Sequence, residues 1–494
     1  MSLSSDVPFD ATGYEFSPYV PCQNWIGGAF VDAAAGDRID IINPRHGKVM
    51  GAVSMSMAVD VDAAVRSAEA AFHGWNATPL KERAQVLFRL KGLMERDLDE
   101  LSWVCSHENG KTYGEAKAGI VKGIECLELA TSLPNMVAGG QLDVSRGVNC
   151  QVSYQPLGVC AGIVPFNFPM MVPMWMIPNV LLAGNAFIIK PSEQTPYSVM
   201  KLALLLREAG LPDGVLNIVH GGQPAVEAIV DHPGIAAVGF VGSTRVARIL
   251  YERGAVKGKR MLCLGGAKNH LVVVPDADVE LTATNVVASA YGCAGQRCMA
   301  ASVLVAVGDV QHIVDAIVDK AGKVSLGSDM GPVISDAAVQ RMSAYVGDSQ
   351  ERGAQVLVDG REASVEGSEG SWFGPTVVDQ VTDQMPISGE EVFGPVLSIV
   401  RVETLDEAIA IENANPYGNA ASIYTTSGAV ARYATDRFEA GMCGVNIGVP
   451  VPREPFSFGG WNHSKFGHGD MTGMDGWLPV LDPRAQGHLE VGRA

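Results

Sequence analysis

Basic residues are the clearest shortage: 36 Lys and Arg stand against 54 Asp and Glu, a net charge of −18. No Lys/Arg-rich run of the nucleic-acid-binding type breaks that deficit, which excludes a polyanionic partner. The nine cysteines contain no CxxC pair and no Cys/His spacing of a zinc site. Neither a disulfide framework nor a metal centre is indicated, and a reducing, cytoplasmic setting is expected. The opening MSLSSDVPFDATGYEF lacks the basic start and apolar run of a secretory signal. Also missing is a clean membrane span. Residues 170–189, MMVPMWMIPNVLLAGNAFII, carry no charge, but Pro173, Pro178, Asn179, Gly184 and Asn185 interrupt them. That pattern predicts a buried helix followed by a strand entering Lys190, not a transmembrane segment.

At 494 residues the chain exceeds what one hydrophobic core supports, so two or three domains are expected. Val61, Ala64, Val65, Ala68, Ala71 and Phe72 recur at helical spacing, and residues 81–106 continue as one long amphipathic helix. The front of the chain therefore reads as helical. From residue 158 short apolar strands alternate with helices: GVCAGIVPF, NAFIIKP, VLNIVHGG, AAVGFVGST and HLVVVPD. A second alternation runs from SVLVAVG through QVLVDG, GPTVVDQV, GPVLSIVRV and NAASIYTT to CGVNIGV. Both predict α/β units with parallel, doubly wound sheets. Between helices and first sheet, QLDVSRGVNCQVSYQPLG reads as a hairpin with no core of its own, which must pair elsewhere.

Four short motifs admit two readings each. Cys298 in GQRC suits a nucleophile and equally a buried small hydrophobe. Asn167 in PFNFP suits a site or a turn. Lys190 and Glu193 in KPSEQTP suit a ligand or a solvated strand end, and Gly242-Ser243 in FVGST a phosphate or an ordinary helix cap.

In this order, and joined by Glu391 and Phe393 in EEVFGP, the motifs resemble the aldehyde dehydrogenase superfamily over roughly residues 20–470. IVHGG with DHP, GAKNH, GQRCM and VPREPFSF resemble more narrowly its CoA-acylating, methylmalonate-semialdehyde dehydrogenase branch. The resemblance implies an α/β fold with a Rossmann-like NAD-binding domain at 20–137 and 156–262, and a catalytic domain at 263–455. A small β hairpin at 138–155 with 470–494 would serve oligomerisation, as a homodimer or homotetramer.

It also implies roles. Cys298 is the nucleophile, since a thiolate adds to a carbonyl and later leaves as a thioester. The Asn167 amide and the Cys298 backbone N–H stabilise the oxyanion. Phe166, Lys190, Glu193, Gly242, Ser243, Glu391 and Phe393 bind the cofactor, with Glu193 favouring NAD over NADP because a carboxylate repels a 2′-phosphate. Arg297 resembles the branch's substrate-carboxylate arginine, a role suited to a planar guanidinium. Lys122 stands where the branch carries a second such arginine, keeping the charge without the fork.

Hydrolytic members carry a glutamate that activates water against the thioester. Counting back from Cys298 and aligning GGAKNH both place Leu264 there, between Cys263 and Gly265. Without a general base, the thioester awaits a better nucleophile, and coenzyme A as cosubstrate supplies a thiol. The expected reaction is oxidation of a small aldehyde of 3-oxo acid type, with acyl transfer to CoA and loss of CO2, giving acetyl-CoA or propanoyl-CoA. Two rivals stand beside it: a hydrolytic dehydrogenase using a stand-in base such as Glu390, and a non-catalytic relative. The tail, GWLPVLDPRAQGHLEVGRA, holds two prolines and little strand pattern, so weak pairing or disorder is expected there.

Overall fold

The structure, a computed structural model, describes residues 22–476 and 480–489. The opening segment read against a secretory signal lies outside the described residues. So do residues 20–21 of the first range and 477–479 and 490–494 of the last.

The front of the chain is not helical from the start. Strands Asn24–Ile26 and Ala29–Val31 pair through Gly27 and Gly28, whose φ angles are 60° and 81°. Two successive positive φ values make the tight turn that matches strand twist, and glycine takes them without strain. Helix Ala58–Ala77 then buries Val61, Ala64, Val65 and Ala68, the face expected from their spacing. The single helix expected over 81–106 is two, Leu80–Arg96 and Leu98–Asn109. Asp97 leaves helical geometry between them, with its carboxylate gripped by Arg96 at 2.7 Å.

Two large sheets follow. In the first, strands Leu216–Ile218, Ala186–Lys190, Val159–Ile163, Ile235–Val241 and Arg260–Leu264 run parallel and adjacent in that order. In the second, Thr376–Asp379, Val396–Val402, Ala301–Val307, Asn269–Val273, Ala420–Tyr424 and Met442–Val445 do the same. HLVVVPD, read above with the first alternation, belongs to the second sheet. It is the neighbour of the strand that follows Cys298. The apolar stretch from residue 170 is helix Met171–Leu182, buried and carrying Pro178, then the buried strand into Lys190. Among the described residues no helix is long and apolar enough to cross a membrane. All nine cysteines are free.

The tail overturns the expectation drawn from its prolines. Leu481–Leu489 is a strand, paired antiparallel with Val148–Pro156 along its whole length, with Gly140–Ser145 on the far side. Pro483, opposite Tyr154, is tolerated because the strand is at the edge, where one side of the backbone needs no ladder partner.

This topology gathers the motifs. Phe166 and Asn167 follow the carboxyl end of Val159–Ile163, Lys190 ends its strand, Gly242 follows Val241, and Leu264 ends the next. Cys298 and Phe393 come just before two adjacent strands of the second sheet. Ligands of parallel α/β sheets collect at such strand ends.

Candidate active site

One cavity of about 860 Å³ is lined by Phe166, Asn167, Lys190 and Glu193 from the first sheet's loops, with Gly242 and Ser243. Cys298, Glu391 and Phe393 close it from the other side. Nine residues singled out from sequence thus face one space. Arg297 and Lys122 do not line it.

Cys298 is delivered by a turn with unusual backbone. Cys293, Ala294 and Gly295 take φ of 51°, 52° and 64°, the left-handed region that non-glycine residues avoid. Gly295 is required, since a Cβ there would strike the carbonyl of Gly394. Glu115 holds the start of the turn, accepting the Cys293 N–H at 2.5 Å. The same carboxylate closes a capping box on helix Tyr113–Thr131, accepting the Thr112 N–H at 3.0 Å. Beyond the turn, the side-chain amides of Asn269 and Asn419 both donate to the Cys298 carbonyl at 2.9 Å. Side chains from three elements far apart in sequence therefore fix the turn: Glu115 at Cys293, and Asn269 with Asn419 at Cys298.

Asn167 is buried and donates its side-chain N–H to Gln296 O at 2.9 Å. Lys111 donates to the Asn167 carbonyl and lies 4.1 Å from the centre of the Phe168 ring. Glu115, Asn269, Asn419 and Lys111 were not found from sequence. Asn269 had a signal, its place in GAKNH, and Glu115 another, as the fourth residue of the T-x-x-E capping box at Thr112; neither signal spoke of the nucleophile's turn.

Burial pushes the Cys298 thiol up to about 12, and the charge of Glu391 pushes the same way, while the backbone N–H groups of Cys298 and Met299 pull it back. Burial also raises Glu391 to about 7, against the Ala267 N–H it accepts at 2.9 Å and the charge of Lys268. Lys268 is lowered to about 8 by burial, opposed by Glu391 and Glu390. A Cβ at Gly266 would strike the Glu391 carboxylate, so glycine lets that carboxylate sit over the backbone. Glu390, the stand-in base weighed above, is exposed and accepts from the Tyr345 hydroxyl.

At the far end of the cavity the Lys190 ammonium lies 3.0 Å from Glu193. Ser243 sits at the N-terminus of helix Thr244–Val256, yet its hydroxyl does not cap that helix. A helix N-terminus open to a cleft suits a phosphate. Phe166 and Phe393 meet edge to face at 5.9 Å. The cavity thus brings together a carboxylate with a lysine, a helix N-terminus and a thiol.

A narrow second pocket also reaches Cys298, walled by Trp175, Val241, Leu264, Asn419, Phe458 and Ser464. The Trp175 and Phe458 rings meet at 4.9 Å, tilted 34° to one another. Cys298 is the one titratable side chain among its described walls. Leu264, at the position where hydrolytic members carry glutamate, is buried and apolar.

Residues 30–481 match the family model described as "Aldehyde dehydrogenase family". The chain belongs to the aldehyde dehydrogenase family. Malonate-semialdehyde dehydrogenase 2 of Geobacillus kaustophilus (strain HTA426) is 44% identical over 462 residues, covering 92% of this chain and 96% of the relative. Malonate-semialdehyde dehydrogenase of Halalkalibacterium halodurans is 42% identical, covering 92% and 95%. Two solved structures superpose with a TM-score of 0.93. One, from Sinorhizobium meliloti 1021 and provisionally named methylmalonate-semialdehyde dehydrogenase, is complexed with NAD; it is 40% identical, covering 98% of this chain and 99% of that one. The other, methylmalonate-semialdehyde dehydrogenase from Oceanimonas doudoroffii, is 38% identical, covering 95% and 98%. In this aldehyde dehydrogenase the two cations expected to grip a substrate carboxylate are both engaged internally. Arg297 lies 3.5 Å from Glu115, and Lys122 is held by Glu454 and, at 3.1 Å, by Glu125.

Proposed function

We propose that this protein is an NAD-dependent, CoA-acylating semialdehyde dehydrogenase of the malonate and methylmalonate semialdehyde type. The observation that carries the reading is Leu264: an apolar, buried side chain beside Cys298, in a pocket with no carboxylate among its described walls.

Cys298 attacks the aldehyde carbon, and the resulting alkoxide is met by the Asn167 amide and the Cys298 backbone N–H. Donors placed at that oxygen contribute a few kcal/mol each in a site closed to water. Lys190 and Glu193 would hold the adenine ribose, Ser243 and the helix end behind Gly242 the pyrophosphate, and Glu391 with Phe393 and Phe166 the nicotinamide end of NAD, which would supply the hydride acceptor for the alkoxide carbon. What remains is a thioester on Cys298. With no base to draw a proton from water, that thioester waits. The CoA thiol needs far less help, so it takes the acyl group and returns Cys298 as thiolate. A β-carboxylate on the acyl group is free to leave as CO2, giving acetyl-CoA or propanoyl-CoA. The relatives named for malonate and methylmalonate semialdehyde support that substrate class. Nine free cysteines suit a cytoplasmic enzyme. The sheet formed by Gly140–Ser145, Val148–Pro156 and Leu481–Leu489 exposes Leu142 and Val144, which suits assembly as a homodimer or homotetramer.

A hydrolytic reading would ask Glu391 to activate water, its carboxylate being raised to about 7. That carboxylate is bound to the Ala267 N–H and lines the large cavity, and it is not among the walls of the narrow pocket that holds Leu264. The test is the product formed from malonate semialdehyde, identified by mass: acyl-CoA when CoA is present supports the reading, and free acid at the same rate without CoA replaces it with hydrolysis.

A further inference from the structure

Gly110, Lys111 and Thr112 join helix Leu98–Asn109 to helix Tyr113–Thr131. Gly110 turns the chain with a φ of 88°, and a Cβ there would sit 2.9 Å from Pro332 and 3.1 Å from Pro44, so the corner is enclosed. From this corner two side chains reach the loop that follows strand Val159–Ile163. Asn109 donates to the Phe166 carbonyl at 2.9 Å, and the Lys111 ammonium donates to the next carbonyl, that of Asn167. Lys111 is only 2% exposed, and its ammonium also lies 4.1 Å from the centre of the Phe168 ring.

A buried ammonium is costly and is commonly answered by a carboxylate. The acids on either side of Lys111 in the chain are turned to other donors. Glu108 accepts the N–H groups of Tyr197 and Ser198 at 2.7 and 3.0 Å, and Glu115 those of Thr112 and Cys293 at 3.0 and 2.5 Å. The charge of Lys111 is thus directed at a loop carbonyl, and a charged donor holds an acceptor about twice as strongly as a neutral one. An asparagine amide carries two N–H groups. One of those on Asn167 goes to Gln296 O at 2.9 Å, and Gln296 is itself anchored by the Ile334 N–H at 3.0 Å.

We propose that Lys111 is a positioning residue for the oxyanion donor: it fixes the Asn167 main chain so that the second amide N–H meets the alkoxide formed when Cys298 adds to the aldehyde. The same connection continues into Glu115, which holds the turn before Cys298, so donor and nucleophile are set from one segment. The proposal rests on the reading of Asn167 as an oxyanion donor.

Lys111→Met keeps the length of the side chain and removes the ammonium. NADH formed from malonate semialdehyde in the first turnover, a readout that needs no CoA, is expected to slow about 10–10²-fold, the range for a misplaced group. The KM for the aldehyde and the affinity for NAD stay near the parent values. The deciding protein carries Lys111→Met with Asn167→Ala. Residues that act as a unit are not additive, so its rate is expected within about threefold of Asn167→Ala alone. A general loosening of the fold would multiply the two losses instead. Lys111→Gln, a shorter and uncharged donor, is expected to fall between the parent and Lys111→Met, and takes its place in the comparison should Lys111→Met not fold. Multiplied losses, an unchanged rate in Lys111→Met, or a loss carried by NAD affinity overturns the proposal while Asn167→Ala remains slow. An Asn167→Ala protein as fast as the parent removes the oxyanion reading itself, and the proposal with it.

Discussion

The two ends of the active-site cleft were built by different means. At the proposed cofactor end, each group sits within a few residues of a strand end: Phe166 after Ile163, Lys190 closing its strand, Gly242 and Ser243 after Val241. Position in the sheet places them, and a short contiguous motif encodes each. The aldehyde end has no such frame. Trp175, Leu264 and Phe458 converge there from separate segments. A dinucleotide presents the same ribose, phosphate and ring wherever it is bound, so strand ends serve it. An aldehyde pocket must be shaped by whatever loops reach it.

The comparison can be broken most severely at the junction of the two ends. Cys298→Ala is expected to lower aldehyde oxidation on the order of 10⁴-fold or more. NAD affinity, measured by fluorescence or calorimetry, stays near the parent value, because the thiol is needed by the aldehyde half alone. Asn167→Ala removes one oxyanion donor and is expected to lower kcat about 10²–10³-fold. Steady-state kinetics showing a fall in NAD affinity instead would move Asn167 to the cofactor half.

Smaller effects sharpen the contrast. Without NAD, the thiolate fraction of Cys298 is small near neutrality, since burial holds the thiol at about 12. Its alkylation rate by iodoacetamide is expected to rise about tenfold per pH unit above pH 7. As pH falls through about 7, Glu391 gains a proton and its upward push on the thiol disappears, so the dependence on pH is shallower across that step and steepens again below it. Glu391→Gln removes that break and speeds alkylation at any fixed pH above it. The smallest change expected is in stability. Glu115→Ala orphans the Cys293 N–H and the capping box of its own helix. Each such loss costs about 1–2 kcal/mol, read as a lowered midpoint of urea unfolding. A proportional fall in kcat accompanies it as the turn before Cys298 loosens.

The same division explains what could be read from sequence. Most parallel strands of both sheets and the nine motif residues that line the cavity were legible because alternating apolar runs and local motifs encode them, whereas Arg260–Leu264 was not read as a strand and HLVVVPD was grouped with the wrong sheet. The Gly27-Gly28 hairpin carried its own turn signal but lies before the first helical pattern, and the break at Asp97 interrupts no apolar period. The tail strand was hidden because its ladder is supplied wholly by Val148–Pro156, which overrides the local preference of its prolines. The charges of Arg297 and Lys122 were legible; their partners, Glu115 and Glu454, were not, since no spacing rule links residues that meet only in the folded chain.

The central claim is that Leu264 leaves the Cys298 thioester without a water-activating base. The most direct test is rapid-mixing measurement of NADH with malonate semialdehyde, first without CoA and then with it. The account predicts a burst near one NADH per Cys298, near-arrest, and resumed turnover to acyl-CoA when CoA is added. Leu264→Glu, by restoring a carboxylate there, is expected to relieve the arrest without CoA. Steady NADH production to free acid by the unaltered protein in the absence of CoA would contradict the account.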